Sequence, residues 1–387
     1  MTDAPFRVGG LVEPPYFVGR SKELAALTRT ARQLAENVLV LAPRRYGKSS
    51  LLHNLRCELA DEDGLLIPYA NCREITSYAD FHRVTVAAVL AEYERKRPVA
   101  GLLEAFLSTA RGKLLEVLGR IEQIGGSVGD AGKLTLRFRE REIDEVDLLR
   151  GTFAFLRRFT AEKDVRIVIL MDEFQEVTTF NGFLFGLLKK ELDENVQVRY
   201  VFCGSSIRML SSIFLQQDAP LYLMVGRHRM GPLSRDEVAA FVRHRLQVAK
   251  LSCSESVALR FHELTGGIPF YVQKLGLIVS QLAYLQGETA VSSVLVEKAF
   301  RNMLDELDGE FETRWVSRLS SQQRRIVRTL ARIGDARLTD VAEAMRVDRT
   351  DISSALRRLR DMMIVTKTER GRYTLTDTVF AAWLQKA

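Results

Sequence analysis

The chain has 387 residues, more than one core of ordinary size takes up, so length favours two or three domains. Hydrophobic residues make up 47% and charged residues 27%, with 25 Gly and 9 Pro, a balance that excludes disordered, collagen-like and coiled-coil classes. The net charge of +7 is concentrated at one end: residues 320–387 hold fourteen Lys and Arg against eight Asp and Glu. A C-terminal module that meets a polyanion is therefore expected, the alternative being a basic domain that is merely solvated.

Taken in chain order, the first part alternates short apolar runs with helical patterns: Val38-Leu-Val-Leu41, a helix from about Ser49, Leu65-Leu-Ile-Pro-Tyr69, Ile167-Val-Ile-Leu-Met171 and Val198-Arg-Tyr-Val-Phe202. Such runs are what strands buried on both faces of a parallel sheet require, and they predict an α/β domain. Within it, Leu134, Leu136 and Phe138 alternate with Lys133, Thr135, Arg137 and Arg139, so a hairpin insertion is expected over 120–142. From Ser234 a capping-box pattern opens a helical region, with further helices ending at Gly266-Gly267, following Pro269 and covering about 291–307. The most apolar stretch, 268–285, carries Gln273, Lys274 and Gln281, so a buried helix is expected there and no membrane partner. The first residues lack a basic leader followed by an apolar segment, so a cytoplasmic location is expected. Cys57, Cys72, Cys203 and Cys253 form no close pair, which argues against a zinc site or a redox dithiol.

The chemistry begins directly after the first apolar run. Ala42-Pro-Arg-Arg-Tyr-Gly-Lys-Ser49 fits G-x-x-x-x-G-K-[ST] at every fixed position but the first, where Ala42 replaces glycine, and it stands between a strand and a helix as that motif demands. Amides of Pro43, Arg44, Arg45, Tyr46, Gly47, Lys48, Ser49 and Ser50 would line a phosphate cradle to which the helix N-terminus adds partial positive charge; proline, lacking an N–H, contributes shape only. Lys48 is placed to reach the β- and γ-phosphates and the Ser49 hydroxyl to ligate Mg²⁺. The third apolar run ends in Asp172-Glu173, and two acids at the end of a buried strand are costly unless they meet a cation. Asp172 is expected to hold the metal ion and Glu173 to polarise the attacking water.

Pro43-Arg-Arg-Tyr-Gly-Lys-Ser49, Asp172-Glu-Phe-Gln175, Cys203-Gly-Ser-Ser206, Gly226-Arg227 and Gly266-Gly-Ile-Pro269 resemble, in order, the motifs of the archaeal-type ATPase family. That family belongs to the AAA+/STAND P-loop ATPases and is related to initiator ATPases of the origin-recognition type. The resemblance extends over 6–307. It implies that Phe17, Val18, Gly19 and Arg20 pack near the adenine, that Ser205 or Ser206 senses the γ-phosphate, that Pro269 lies in a lid element contacting nucleotide, and that Arg227 acts as sensor or finger, a surface salt bridge being as good a reading of that arginine.

The last part reads as three helices and two strands. Ser320-Ser-Gln-Gln323 opens the first helix, Thr339 is expected to cap the second, and the third places Ile352, Ala355, Leu356, Leu359 and Met363 on one stripe. With a hairpin at 364–375 this resembles a winged helix-turn-helix. The resemblance implies duplex DNA as partner, with Ser353, Ser354 and Arg357 facing base edges and Arg349, Arg358, Lys367, Arg370 and Arg372 near phosphates.

Together these readings give an α/β P-loop NTPase (AAA+-like) parallel-sheet core over 1–233, a helical lid over 234–312 and a winged helix over 313–387. The expected activity is slow or partner-stimulated, Mg²⁺-dependent hydrolysis of ATP to ADP, coupled to DNA engagement. A second reading is a STAND-type nucleotide switch or scaffold with slow turnover and a protein partner or self-association.

Overall fold

The computed structural model describes residues 4–97, 121–125, 135–138, 144–180, 182–368 and 370–386. The chain forms two compact units: one comprises residues 22–42 and 51–230, the other 1–21, 43–50 and 231–387.

The first unit is built on a parallel sheet. Its elements are α1 (Ser21–Gln33), β1 (Val38–Leu41), α2 (Lys48–Glu58), β2 (Leu65–Leu66), β3 (Tyr69–Asn71), α3 (Tyr78–Lys96), α4 (Glu145–Lys163), β6 (Arg166–Asp172), α5 (Gly182–Glu194), β7 (Val198–Gly204), α6 (Ile207–Phe214) and β8 (Gly226–Arg229). The order is β2-β6-β7-β1-β8, with β3 also on β6, and every pairing is parallel. The strands β1, β6 and β7 end at one edge of the sheet, and the predicted phosphate loop leaves from the end of β1. Every residue of β1 is buried, as is β6 beyond Arg166, because apolar strands in the middle of a parallel sheet have helices to meet. One face packs Phe81, Phe153, Phe155, Phe159 and Phe202 into a continuous core, and each such ring contributes roughly 2 kcal/mol by leaving water.

The expected strand at 65–69 is two short strands. Pro68 has no N–H to give the ladder, so β2 stops at Leu66 and β3 starts at Tyr69, the Pro68 carbonyl still accepting from Leu170. Strands β4 (Ile121–Gly125) and β5 (Thr135–Phe138) pair antiparallel as the hairpin reading expects, while Lys133, Leu134 and Arg139 lie outside the described residues.

The second unit is mostly helical: α7 (Arg235–Val248), α8 (Glu255–Thr265), α9 (Pro269–Gln286), α10 (Ser293–Glu306), α11 (Asp308–Arg318), α12 (Ser321–Ile333), α13 (Leu338–Met345), α14 (Arg349–Asp361) and α15 (Thr378–Lys386). Short strands β9 (Ser252–Cys253) and β10 (Ala290–Val291) pair with each other, and β11 (Val365–Lys367) and β12 (Tyr373–Leu375) form an antiparallel hairpin. Ser234 and Ser320 start α7 and α12 with reciprocal capping boxes, as their sequences predict. Thr339 does not cap α13. The cap falls two residues earlier, at Arg337, whose N–H donates to the Asp340 carboxylate at 2.8 Å, and this bond from the third helical position leaves Thr339 inside the helix. Helix α15, for which no element is predicted, buries Phe380, Trp383 and Leu384, with Phe380 and Trp383 stacked on each other and both rings tilted against Phe311 of α11. Among the described residues, no helix is long and apolar enough to cross a membrane.

Candidate nucleotide site and basic face

The loop after β1 folds back on itself. Lys48, first residue of α2 and buried, donates from Nζ to the Pro43 carbonyl at 2.8 Å, so the ammonium bridges the two ends of the loop. Gly47 has φ +83°, which glycine adopts without strain, and a Cβ there would meet nothing within 4 Å, so the open side of the loop is clear. Ser50 accepts from the Val12 N–H at 3.2 Å, and buried Arg20 donates to the Tyr46 carbonyl at 3.3 Å and the Gly231 carbonyl at 2.7 Å. The predicted segment Phe17, Val18, Gly19 and Arg20 is thus tied to the loop through Arg20. Burial pushes the Tyr46 phenol up to about 12, with the charge of Asp377 adding to it.

Arg44 is exposed, whereas Arg45, at φ +74°, is heavily engaged. Its guanidinium donates to the Tyr271 hydroxyl and to Glu310 and lies 4.9 Å from the ring centroids of Phe270 and Tyr271 and 5.7 Å from that of Phe311. Tyr271 in turn donates to Asp377 at 2.9 Å, and Arg314 pairs with the same carboxylate at 3.2 Å. A loop residue is linked in this way to α9, α11 and the start of α15. Pro269 is the first residue of α9, next to the Phe270 N–H that donates to the Arg45 carbonyl. Ser49 is half-buried beside Lys48.

The acidic pair sits at the end of β6. Asp172, 2% exposed, accepts from the Tyr69 hydroxyl at 2.9 Å with one oxygen and from the Glu173 N–H at 2.9 Å with the other. Burial, reinforced by the Asp172 charge, holds the Tyr69 phenol protonated far above its ordinary range, so Tyr69 can only donate to that carboxylate. Glu173 occupies the left-handed region at φ 52°, which turns its side chain away from the strand direction. Its carboxylate receives Arg73 Nη2 at 2.8 Å on one oxygen, and Gln175 Nε2 at 2.6 Å and Ser205 Oγ at 3.1 Å on the other. Gln175 also accepts the Ser205 N–H at 3.1 Å. A Cβ on Gly204 would lie 2.1 Å from the Gln175 oxygen, so only glycine lets β7 come this close. Each oxygen of Asp172 has accepted one bond of the two it can take, and a carboxylate offers the hard oxygen donors that suit Mg²⁺.

Sequence reasoning singles out Asp172, Glu173 and Ser205 but gives no role to Tyr69, Arg73 or Gln175. Two of them come to the acids through strand pairing, since Asn71 pairs in register with Asp172 and brings the end of β3 beside the end of β6. Ser206 is the N-cap residue of α6. Arg227 is exposed in β8 opposite Leu39, on the outermost strand of the sheet.

On the C-terminal module, Arg349, Ser353, Ser354, Arg357 and Arg358 are exposed on α14, as are Lys367 and Arg370 on or beside the hairpin. Arg372 pairs with Asp335 at 2.7 Å, and Ser353 donates to the Thr350 carbonyl at 3.0 Å.

A strand, loop and helix carrying Lys48, with a parallel sheet in which one strand, β6, ends in two acids and a further strand, β7, lies between it and β1, define a P-loop NTPase core. Residues 17–275 match the family described as an ATPase domain predominantly from Archaea, and the chain belongs to that family. No curated protein matches it in sequence. Among solved structures it is similar to a Walker-type ATPase of Pyrococcus abyssi, with 16% identity, TM-score 0.67, and 98% of this chain and 99% of that one covered. It is also similar to the ORC2 protein of Aeropyrum pernix in its ADPNP-ADP complexes, with 13% identity, TM-score 0.58, and 99% and 98% covered. These likenesses extend the shared fold over essentially the whole chain.

Proposed function

We propose that this ATPase-domain protein binds ATP at the loop 43–50, hydrolyses it with Mg²⁺, and couples nucleotide state to the binding of duplex DNA. The proposed division is an ATPase core over 1–233, a lid over 234–312 and a winged helix over 313–387. The observation that carries the reading is the state of Lys48: a buried ammonium held by a loop carbonyl that a phosphate would outcompete, since an anionic acceptor binds an ammonium about twice as strongly as a neutral one. In this reading Lys48 grips the β- and γ-phosphates and Ser49 and Asp172 hold Mg²⁺, which when bound neutralises charge on the β and γ oxygens. Glu173 orients and polarises the attacking water, Ser205 both positions Glu173 and senses the γ-phosphate, and Phe17, Val18, Gly19, Arg20 and Pro269 enclose the base. Exposed Arg227 is open to nucleotide or to a neighbouring copy. DNA is contacted by Arg349, Ser353, Ser354, Arg357, Arg358, Lys367, Arg370 and Arg372. The order and pairing of α12, α13, α14 and the β11-β12 hairpin support the winged-helix reading, as does the excess of Lys and Arg.

The test is ATP turnover with and without duplex DNA, alongside nucleotide binding by Lys48→Ala. Stimulation by DNA and loss of binding in the variant are expected; a Lys48→Ala protein that binds ATP as the wild type does would refute the site. One observation favours the second reading, a slow nucleotide switch. Arg45 is held by Glu310, Tyr271 and three aromatic rings, an arrangement that links the loop to the C-terminal helices rather than to turnover. Slow turnover indifferent to DNA would identify it.

A further inference from the structure

The basic face of the C-terminal module contains a notch of about 240 Å³ lined by Leu338, Ser353, Arg357, Arg360, Lys367 and Tyr373. Arg357 and Arg360 stand one turn apart on α14, a like-charge spacing that disfavours the helix unless something neutralises it. Lys367 comes from β11, its ammonium 5.7 Å from the ring centroid of its cross-strand partner Tyr373. Reciprocal bonds of Tyr373 with Ala336, at 2.6 and 3.0 Å, fix that strand beside the start of α13, so helix and hairpin form one rigid wall. The ion pairs of this module among the described residues are Arg314 with Asp377, Arg372 with Asp335, and Lys386 with Asp305. None involves Arg357, Arg360 or Lys367. A neighbouring notch of about 630 Å³, lined by Asp335, Thr368, Arg370 and Arg372, has its own acid, and there the Asp335-Arg372 pair already satisfies charge.

We propose that the notch of Arg357, Arg360 and Lys367 is a seat for a backbone phosphate of nucleic acid. The proposal rests on the DNA-binding reading and changes one assignment within it: Arg357 grips the backbone and does not read a base edge. A guanine edge can take one such cation, as when an arginine bridges its N7 and O6, whereas a phosphate presents acceptors on every side. Three converging cations with no carboxylate or amide among the lining residues therefore suit a phosphate better than a base edge. Arg360 and Tyr373, to which sequence reasoning assigns no contact, become part of the site, the ring fixing the Lys367 ammonium over its face.

The experiment uses the full chain and two duplexes of unrelated sequence, titrated across a salt series, with wild type and the double variant Arg357→Gln, Arg360→Gln. Both side chains are exposed, and an unchanged melting temperature shows that the variant is folded. Each phosphate contact adds about −0.9 to the log-log salt slope, so the double variant, which loses the one phosphate seated there, should flatten it by about one unit and weaken both duplexes alike, by roughly 8-fold at 0.1 M salt. Arg357→Lys should retain the slope. An unchanged slope, or a loss confined to one duplex, overturns the seat while DNA binding stands. If wild type binds neither duplex at low salt, the DNA reading fails and the seat with it; binding of poly-glutamate that the double variant loses would then reassign the notch to an acidic protein segment.

Discussion

The carboxylate cluster at the end of β6 and the cationic face of α14 and its hairpin treat charge in opposite ways. Around Asp172 and Glu173 the charges are met from within the chain: Tyr69, Arg73, Gln175 and Ser205 supply donors from three separate segments. On the C-terminal face, Arg357, Arg360 and Lys367 form no ion pair among the described residues. The first arrangement fixes its side chains by bonds of its own, which is how a group is positioned for chemistry. The second lacks a counter-charge, which the proposed polyanion would supply.

The largest effect that separates the two regions belongs to Glu173. Glu173→Gln keeps the shape but removes the charge proposed to polarise water, so ATP binding should stay intact while turnover falls by about 10²- to 10⁴-fold, measured as phosphate release beside nucleotide binding. Undiminished turnover would show that the cluster is structural.

Next comes a buried polar group of the same unit, His82, fully buried with Nδ1 3.0 Å from the Thr152 hydroxyl. Burial lowers its pKa from 6.5 to about 4. The unfolded chain therefore takes up a proton between these values that the folded chain refuses, so stability is full above about pH 6.5 and falls as pH drops toward 4. The loss is about 3 kcal/mol from this residue. Denaturant midpoints at pH 7 and 4.5 should differ less in His82→Leu than in wild type; an equal difference would place the acid sensitivity elsewhere.

Gly204→Ala attacks the closeness of the cluster. A Cβ 2.1 Å from the Gln175 oxygen must displace it, and a cost of about 1–3 kcal/mol is expected in thermal or denaturant unfolding. On the cationic face, Arg370→Gln should leave stability within about 0.5 kcal/mol and flatten the salt slope of DNA binding by about one unit. The contrast between these two variants, one losing stability and the other only binding, is the comparison reduced to two substitutions. The smallest effect is that of Ala42→Gly. Ala42 is buried at the end of β1 and is absent from the residues of positive φ, so glycine can take its place, and nucleotide affinity should be preserved or slightly raised.

What was legible in the sequence is what is local. The strand at 38–41, the loop after it, the acid-ended strand and the serine caps each declare themselves within a few neighbouring residues, because burial period, loop chemistry and capping act over that range. The partners of those residues were not legible. Arg73 and Glu173 are 100 positions apart and meet only because β3 pairs with β6. The Arg45 contacts with Tyr271, Glu310 and Phe311 depend on how distant helices return to the loop. Helix α15 escaped notice for another reason: nine residues give too few turns for a periodic signal to stand out. The Pro68 break, by contrast, is written in the sequence, since a proline inside an apolar run stops a ladder whatever surrounds it.

The position of Arg227 also bears on how the chain survives in a crowded solution. Strand β8 is the last of the sheet, four residues long, with Arg227 and Arg229 exposed on it. An outermost strand presents unpaired amides and carbonyls on which another chain can add a strand, and the usual defences are brevity and positive charge. β8 has both. Replacing Arg227 and Arg229 with valine would lengthen the apolar run from Leu221 through Val225 and present neighbouring molecules with a flat, uncharged border. Positive charge on so short a border strand is the arrangement that disfavours extension of the sheet by another chain.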